Sequence, residues 1–206
     1  MLWWMRNCEN LDKAVYEGVG RYNIPEIAPV MLDSADFIGF NCAKRCENPG
    51  DKGVHFFLPD YQFFRVWTGV ELYIPMLQKF KCVCTPDFSL YTDFPFPVQL
   101  YNHYRKHWLG RYWQERGITV IPSISWSDES SYAWCFDGEP VGGTVAISSV
   151  GTQMDNTSRR LFRQGYEEMM ARLQPATIFF HGTIPDWCQG TIVPIPSHQQ
   201  RLRELR

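Results

Sequence analysis

The sequence predicts an α/β fold: a mostly parallel sheet of about six to seven strands, arranged as a small or incomplete TIM-like barrel or as a doubly wound sheet. Three observations predict it. Short runs rich in β-branched or aromatic residues, each bounded by chain breakers, occupy residues 37–40, 54–58, 81–85, 118–125, 144–149, 177–181 and 191–195. Most of these runs are apolar throughout instead of alternating, as expected of strands buried on both faces. Helical patterns fall between several of them, and a repeated strand–helix–strand order implies right-handed βαβ units.

The elements follow in chain order. Residues 1–24 read as an N-terminal extension. Residues 61–80 carry Phe63, Trp67, Val70, Leu77 and Phe80 but are interrupted by Gly69 and Pro75, which predicts two short helices. Residues 97–116 form the strongest helix. Tyr101, Tyr104, Trp108 and Tyr112 recur at helical spacing, and Gly117 stands where a C-terminal cap belongs. The segment 127–143 is weakly patterned, with Asp-Gly and Gly-Gly turns. Residues 158–173 put Phe162, Tyr166, Met169, Met170 and Leu173 on one side, stop before Pro175, and have Asn156, Thr157 or Ser158 available as a cap. Residues 197–206 form a C-terminal basic tail.

Composition narrows the function classes. With 45% hydrophobic and 20% charged residues, the chain of 206 residues has ample apolar surface to bury and reads as a single α/β domain over 1–206. Lys and Arg total 20 against 22 Asp and Glu, so no global basic excess marks a nucleic-acid coat, and any such contact is local. The opening Met-Leu-Trp-Trp-Met is too short for a signal-peptide core or for the ~20 residues that cross a bilayer. A cytoplasmic protein with no membrane contact is the expectation. Seven cysteines, an odd count, read as reduced thiols.

In either sheet arrangement, ligands bind beyond the carboxyl ends of the strands. The residues that follow each strand are therefore the candidates. The 54–58 run leads to Asp60. The 81–85 run leads to Asp87, Ser89, Tyr91 and Asp93. After 118–125 come Trp126 and Asp128, and 144–149 contains Ser148 and Ser149. The 177–181 run ends in His181. Asp87 and Asp93 are catalytic candidates as a crowded acid/base pair, and with Asp60 or Asp128 they could instead hold a divalent cation. A helix N-cap is the bland reading of each Asp. His181, at a strand terminus, is a further acid/base candidate, and His55, inside its strand, is structural.

Arg105 falls within the aromatic arc of helix 97–116, where it either binds a carboxylate or phosphate or covers the core with its stem. Lys106 and Arg111, with Arg116, His103 and His107, form either a local nucleic-acid patch or a solvated helix face. Ser148-Ser149-Val150-Gly151-Thr152 leads toward a helix, where a phosphate could sit, without GxGxxG or a Walker lysine. Cys42 and Cys46, and Cys82 and Cys84, lack zinc-site spacing and read as packing thiols, so no metal site and no cofactor beyond a possible divalent cation is assigned.

The strings Val54-His55-Phe56-Phe57, Pro86-Asp87-Phe88-Ser89-Leu90-Tyr91, Gly110-Arg111-Tyr112-Trp113-Gln114 and Cys135-Phe136-Asp137-Gly138 resemble an uncharacterised domain-of-unknown-function family, number four-four-one-seven. Its members occur in bacteria, archaea, phages and plasmids. The resemblance runs from about residue 24 to 195 and implies a mobile-element setting, where small proteins handle nucleic acid or counter host defences. In the order of its later strands and helices the chain is also similar to barrel-type base-exchanging transglycosylases. Asp87 would be the nearest analogue of their strand-end aspartate, but Ser123-Ile124-Ser125-Trp126 replaces their glutamine-glycine element.

Together these readings predict a phage or mobile-element protein that binds a nucleotide or nucleic acid at the strand-end rim. Asp60, Ser89, Tyr91, Arg105, Trp126, Ser148 and Ser149 are its binding residues. Carboxylate-assisted attack at a base or glycosidic carbon is the reaction class if it is an enzyme. The alternative is a non-enzymatic inhibitor or adaptor docking on a host defence or replication protein through Trp3, Trp4 and Trp187.

Overall fold

Each of the seven apolar runs becomes a parallel strand. The computed structural model describes residues 8–196. Its parallel strands are β3 (Asp36–Gly39), β4 (Lys52–His55), β5 (Cys82–Cys84), β6 (Val120–Ile121), β7 (Thr144–Ser148), β8 (Thr177–His181) and β9 (Ile192–Ile195). A small antiparallel pair, β1 (Gly18–Val19) and β2 (Ile24–Pro25), precedes them. The helices are α1 (Phe40–Ala43), α2 (Arg65–Thr68), α3 (Val70–Leu77), α4 (Phe96–Gln114) and α5 (Asn156–Leu173). Trp3, Trp4 and the 197–206 tail lie outside the described residues.

The parallel strands pair in two sheets, β3-β4-β5-β6 and β7-β8-β9, and no closed barrel forms among the described residues. This corrects the expectation of one sheet of six to seven strands, and the reason lies at the exit of β6. Pro122 has no N–H to continue a ladder. Past it, side chains take over the pairing with β5: Ser123 N donates to Thr85 Oγ1 at 2.8 Å and Ser123 Oγ to Thr85 O at 2.7 Å. An isolated parallel bridge, Ser123 to Ala146, is the pairing between this exit and β7.

Both faces of these strands are covered, which explains why the runs are apolar throughout. On one face, Val54, Phe56, Val83 and Val120 pack against Trp67, Leu77, Trp108 and Trp113 of α2, α3 and α4. Val145, Ile147, Ile178 and Phe180 pack in the same way against Phe162, Tyr166 and Met169 of α5. The opposite face gathers Phe37, Cys82, Cys84, Ile121, Ala146, Phe179 and Ile195 into a third cluster. Phe37 of β3 meets Phe179 of β8 at 4.8 Å between ring centroids, although these strands share no ladder, so the two sheets turn this face toward each other. Cys82 and Cys84 lie side by side in that cluster, as core thiols.

The helices agree with the periodicity and differ at their ends. The predicted split in 61–80 falls at Gly69, whereas Pro75 is carried inside α3. Asp155, not residues 156–158, caps α5: its carboxylate accepts from Ser158 N at 2.9 Å and from Ser158 Oγ at 2.6 Å. α4 departs most. It is buried nearly all round, including Asn102, His103, Arg105, Lys106 and His107, so the expected solvated face does not exist. Gly110 permits this depth, since a Cβ there would meet Ile27 at 2.7 Å and Thr85 at 2.9 Å.

Gly165 on α5 lies directly under the indole of Trp126, which covers the site a Cβ would need. Gly165→Ala is expected to destabilise the protein by about 1–3 kcal/mol through overpacking. Gly50→Ala, at a position with open space around it, should stay within about 0.5 kcal/mol. Urea denaturation of the two variants beside wild type checks both.

Candidate functional site

The carboxyl ends of β4, β5 and β6 bring polar groups together above an apolar layer. Thr85 and Ser123 join the two strand exits, and two residues further on each side stand Asp87 and Ser125, with the Ser125 hydroxyl hydrogen-bonded to the Asp87 carboxylate. Asp60, which opens a 3₁₀ turn at Asp60–Gln62, reaches over to the same loop. Its two oxygens accept from Ser89 Oγ at 2.8 Å and from Ser89 N at 3.2 Å. Asn102 of α4 then donates to Ser89 O at 2.7 Å and fixes the loop from above.

Burial pushes the Asp87 carboxyl up to about 6; Lys106 and the Ser125 hydroxyl pull it down, and Asp60 pushes the same way as burial. Near neutral pH this carboxyl therefore exchanges its proton readily, as an acid/base group must.

Lys106 supplies its positive charge from the interior. The residue is 2% exposed, and its Nζ donates to Ser123 O at 2.9 Å and to Glu139 Oε1 at 2.7 Å. His107 Nε2 lies 2.9 Å from the same Glu139 oxygen, and His107 Nδ1 donates to Pro25 O at 2.8 Å. Burial raises the pKa of Glu139, but Lys106 and His107 outweigh it and hold the carboxyl below its ordinary value. His103 completes the group and stays neutral, because burial and the neighbouring charges lower its pKa well below the usual range. Among the described residues, His103, His107 and Glu139 form a cluster with metal-ligand spacing.

Arg105 lies next to the Asp87 loop. Its guanidinium stacks on Phe88 at 3.6 Å and faces Phe64 and Tyr101, each at 5.2 Å. The residue is 6% exposed and its Nε has no hydrogen-bond partner. It lines a cleft of about 460 Å³ with Phe64, Trp67, Tyr101, Cys8, Glu9, Asn10, Asp12 and Lys13.

A second group sits across the rim. His181 ends β8 with its Nδ1 3.2 Å from Ser148 Oγ, while its ring stacks on Phe57 at 5.2 Å and lies 5.1 Å from His55. Burial lowers His181 to about 4, so the imidazole is neutral near neutral pH.

The structure thus gathers Asp60, Asp87, Ser89 and Arg105 in one neighbourhood and Ser148 and His181 in another. The remaining candidates stand elsewhere. Asp93 and Tyr91 are exposed, Tyr91 against the edge of Phe94. Asp128 caps the 3₁₀ turn Glu129–Ala133 through Ser130, a local role that takes it out of any shared cation site. Trp126 is spent on packing, its Nε1 donating to Leu161 O and its ring over Phe162. Ser149 Oγ donates to Thr183 O, and Asp155 caps the start of α5.

Lys106 and Arg111 share no basic surface, because Lys106 is internal and Arg111 pairs with Glu115. Trp187 is no free anchor either; it packs on Phe162 and Tyr166. Sequence reasoning missed Ser125 and Glu139 and read His107 only as part of a basic patch or solvated face. A polar run of His103, Lys106 and His107 at helical spacing was the available signal, but their partner Glu139 stands 32 residues beyond His107.

A family model described as a domain of unknown function (DUF4417) matches residues 16–197. Two curated relatives are similar over most of the chain. The Gene 1 protein of Mycobacterium phage D29 is 36% identical over 189 residues, covering 89% of this chain and 70% of that protein. The Gene 1 protein of Mycobacterium phage L5 is 36% identical over 174 residues, covering 84% and 76% respectively. No solved structure is significantly similar. The likeness to base-exchanging transglycosylases is not supported, since neither the family nor these relatives point to it and the barrel is not closed.

Asp87 costs the folded state free energy when ionised, and the sign is set by its raised value. Between pH 3.8 and about 6 the folded protein binds more protons at Asp87 than the unfolded chain, so stability falls as pH rises through that window. Asp87→Asn is therefore expected to stabilise the protein at pH 7 by about 1–3 kcal/mol, at ~1.4 kcal/mol per pH unit. The gain should vanish below about pH 4. Denaturation midpoints of both proteins from pH 3.5 to 8 check it.

Proposed function

The chain belongs to this family, and we propose that it is a phage or mobile-element protein that binds a phosphate-bearing nucleotide at the strand-end rim, with Asp87 as the acid/base group. The observation that carries this reading is the convergence of Asp87, Asp60 and Ser89 with Arg105, a buried guanidinium whose Nε lacks a partner. A planar guanidinium stacked on aromatic rings suits phosphate recognition, and Phe64, Trp67 and Tyr101 offer faces on which a base can stack. A nucleotide fits better than a long strand, because the interior Lys106 takes no part in a phosphate-tracking surface.

The two parallel sheets serve this site together, linked at the isolated Ser123–Ala146 bridge. Their inner face is apolar around Phe37, Ile121 and Phe179 and polar at Asp87, Ser125, Ser148 and His181. That gradient supports a ligand held over the carboxyl ends of the strands. With a carboxyl near 6 on one side and a neutral imidazole on the other, proton transfer to or from a bound base or glycosidic oxygen is the chemistry the rim offers.

Calorimetric titration of the full chain with nucleoside mono-, di- and triphosphates tests the reading. Wild type should bind at least one of them more tightly than the matching nucleoside. Arg105→Ala should lose about 10- to 100-fold in affinity, the worth of a charge-assisted hydrogen bond. Asp87→Asn should keep the affinity and lose any turnover. Absence of binding to every nucleotide, or equal affinity in Arg105→Ala, would overturn it.

A further inference from the structure

We propose that His103, His107 and Glu139 bind one divalent transition-metal cation, zinc foremost, which clamps α4 to the turn that precedes β7. The inference stands apart from the nucleotide reading, since these side chains are internal. One atom from each of the three lies within 4.8 Å of the other two. His103 and His107, one turn apart on α4, have ring centroids 4.3 Å apart.

The hydrogen bonds on the far side of each ring select the tautomer a metal requires. His103 Nε2 meets Asp137 O at 3.1 Å and His107 Nδ1 meets Pro25 O at 2.8 Å. Backbone carbonyls only accept, so both of these nitrogens carry protons. This leaves a lone pair on His103 Nδ1, and it leaves Nε2 as the His107 nitrogen turned toward Glu139, 2.9 Å from Oε1. A ring N–H given to a carbonyl behind the ligand is the usual outer support of a metal-bound histidine.

Two atoms of the cluster have nothing else to do. His103 Nδ1 and Glu139 Oε2 are buried without hydrogen-bond partners, and both are acceptors. Such atoms are rare in a folded interior and call for an unseen partner. A cation satisfies both at once. Lys106 donates to Glu139 Oε1 and so leaves Oε2 for the metal.

The turn is shaped for the approach. Gly138 has φ +76, and a Cβ there would meet Pro25 O at 2.6 Å and His107 Nδ1 at 2.8 Å. Two imidazoles and one carboxylate favour zinc or a neighbouring transition metal over magnesium or calcium, which prefer oxygen ligands.

The test measures metal in the full chain, purified without chelator and then stripped and reloaded with zinc or cobalt(II). Wild type should hold about one equivalent of zinc and unfold at higher temperature when loaded. The cobalt form should show ligand-field bands without thiolate-to-metal charge transfer. His103→Ala should weaken binding by at least about 10- to 100-fold. If that variant does not fold, wild-type stoichiometry and the cobalt spectrum still decide. No stoichiometric zinc in wild type, a thiolate band placing the ion on cysteine, or undiminished binding by His103→Ala would each overturn the proposal.

Discussion

The buried ion pair between Lys106 and Glu139 is the constraint on which the rest of the arrangement depends. Neither charge tolerates burial alone, and truncating one partner of such a pair costs about 3–5 kcal/mol because the other is left uncompensated. Lys106 comes from the middle of α4 and Glu139 from the turn before β7, while the second contact of the lysine is the carbonyl of Ser123 at the exit of β6. One ammonium therefore ties a helix, a turn and a strand end together. The same charge reaches Asp87 and limits how far burial can raise its pKa.

Burial sets the chemistry of the strand ends from the other direction. Below the rim, Phe37, Cys82, Ile121 and Phe179 pack into a buried apolar cluster. Hydroxyl, carboxyl and imidazole groups at the rim are then packed against low-dielectric material on one side. Asp87 and His181 respond as opposites, the carboxyl upward and the imidazole downward, because in both cases the charged form is the one disfavoured. The usual order of the two groups is reversed as a result, with the carboxyl at about 6 and the imidazole at about 4.

The strands were legible because their signal is local. An unbroken apolar run bounded by breakers is what burial on both faces requires, and each of β3 through β9 overlaps one of the seven runs. The pairing across Pro122 was not legible, since it depends on Thr85 and Ser123 substituting side-chain hydrogen bonds for a ladder. α4 shows the same limit more sharply. Its aromatic stripe announced the helix, yet Lys106, His103 and His107 read as solvent-facing because their matching acceptors, Glu139, Pro25 and Asp137, are remote in sequence. At the rim, Asp87 and Arg105 could be named from position alone. Which polar groups stay available could not, because the Ser149 hydroxyl and the Trp126 indole N–H are spent on contacts that only the packed chain makes.

The central claim is that burial at the strand ends, moderated by Lys106, holds Asp87 as a carboxyl that shares its proton near neutrality. Carbon-detected NMR titration of the Asp87 side chain in the full protein tests this most directly. A midpoint at about 6 agrees with the account. A midpoint at or below the ordinary aspartate value of about 3.9 would contradict it, and would mean that Asp87 is a solvated or fully paired carboxylate with no acid/base role.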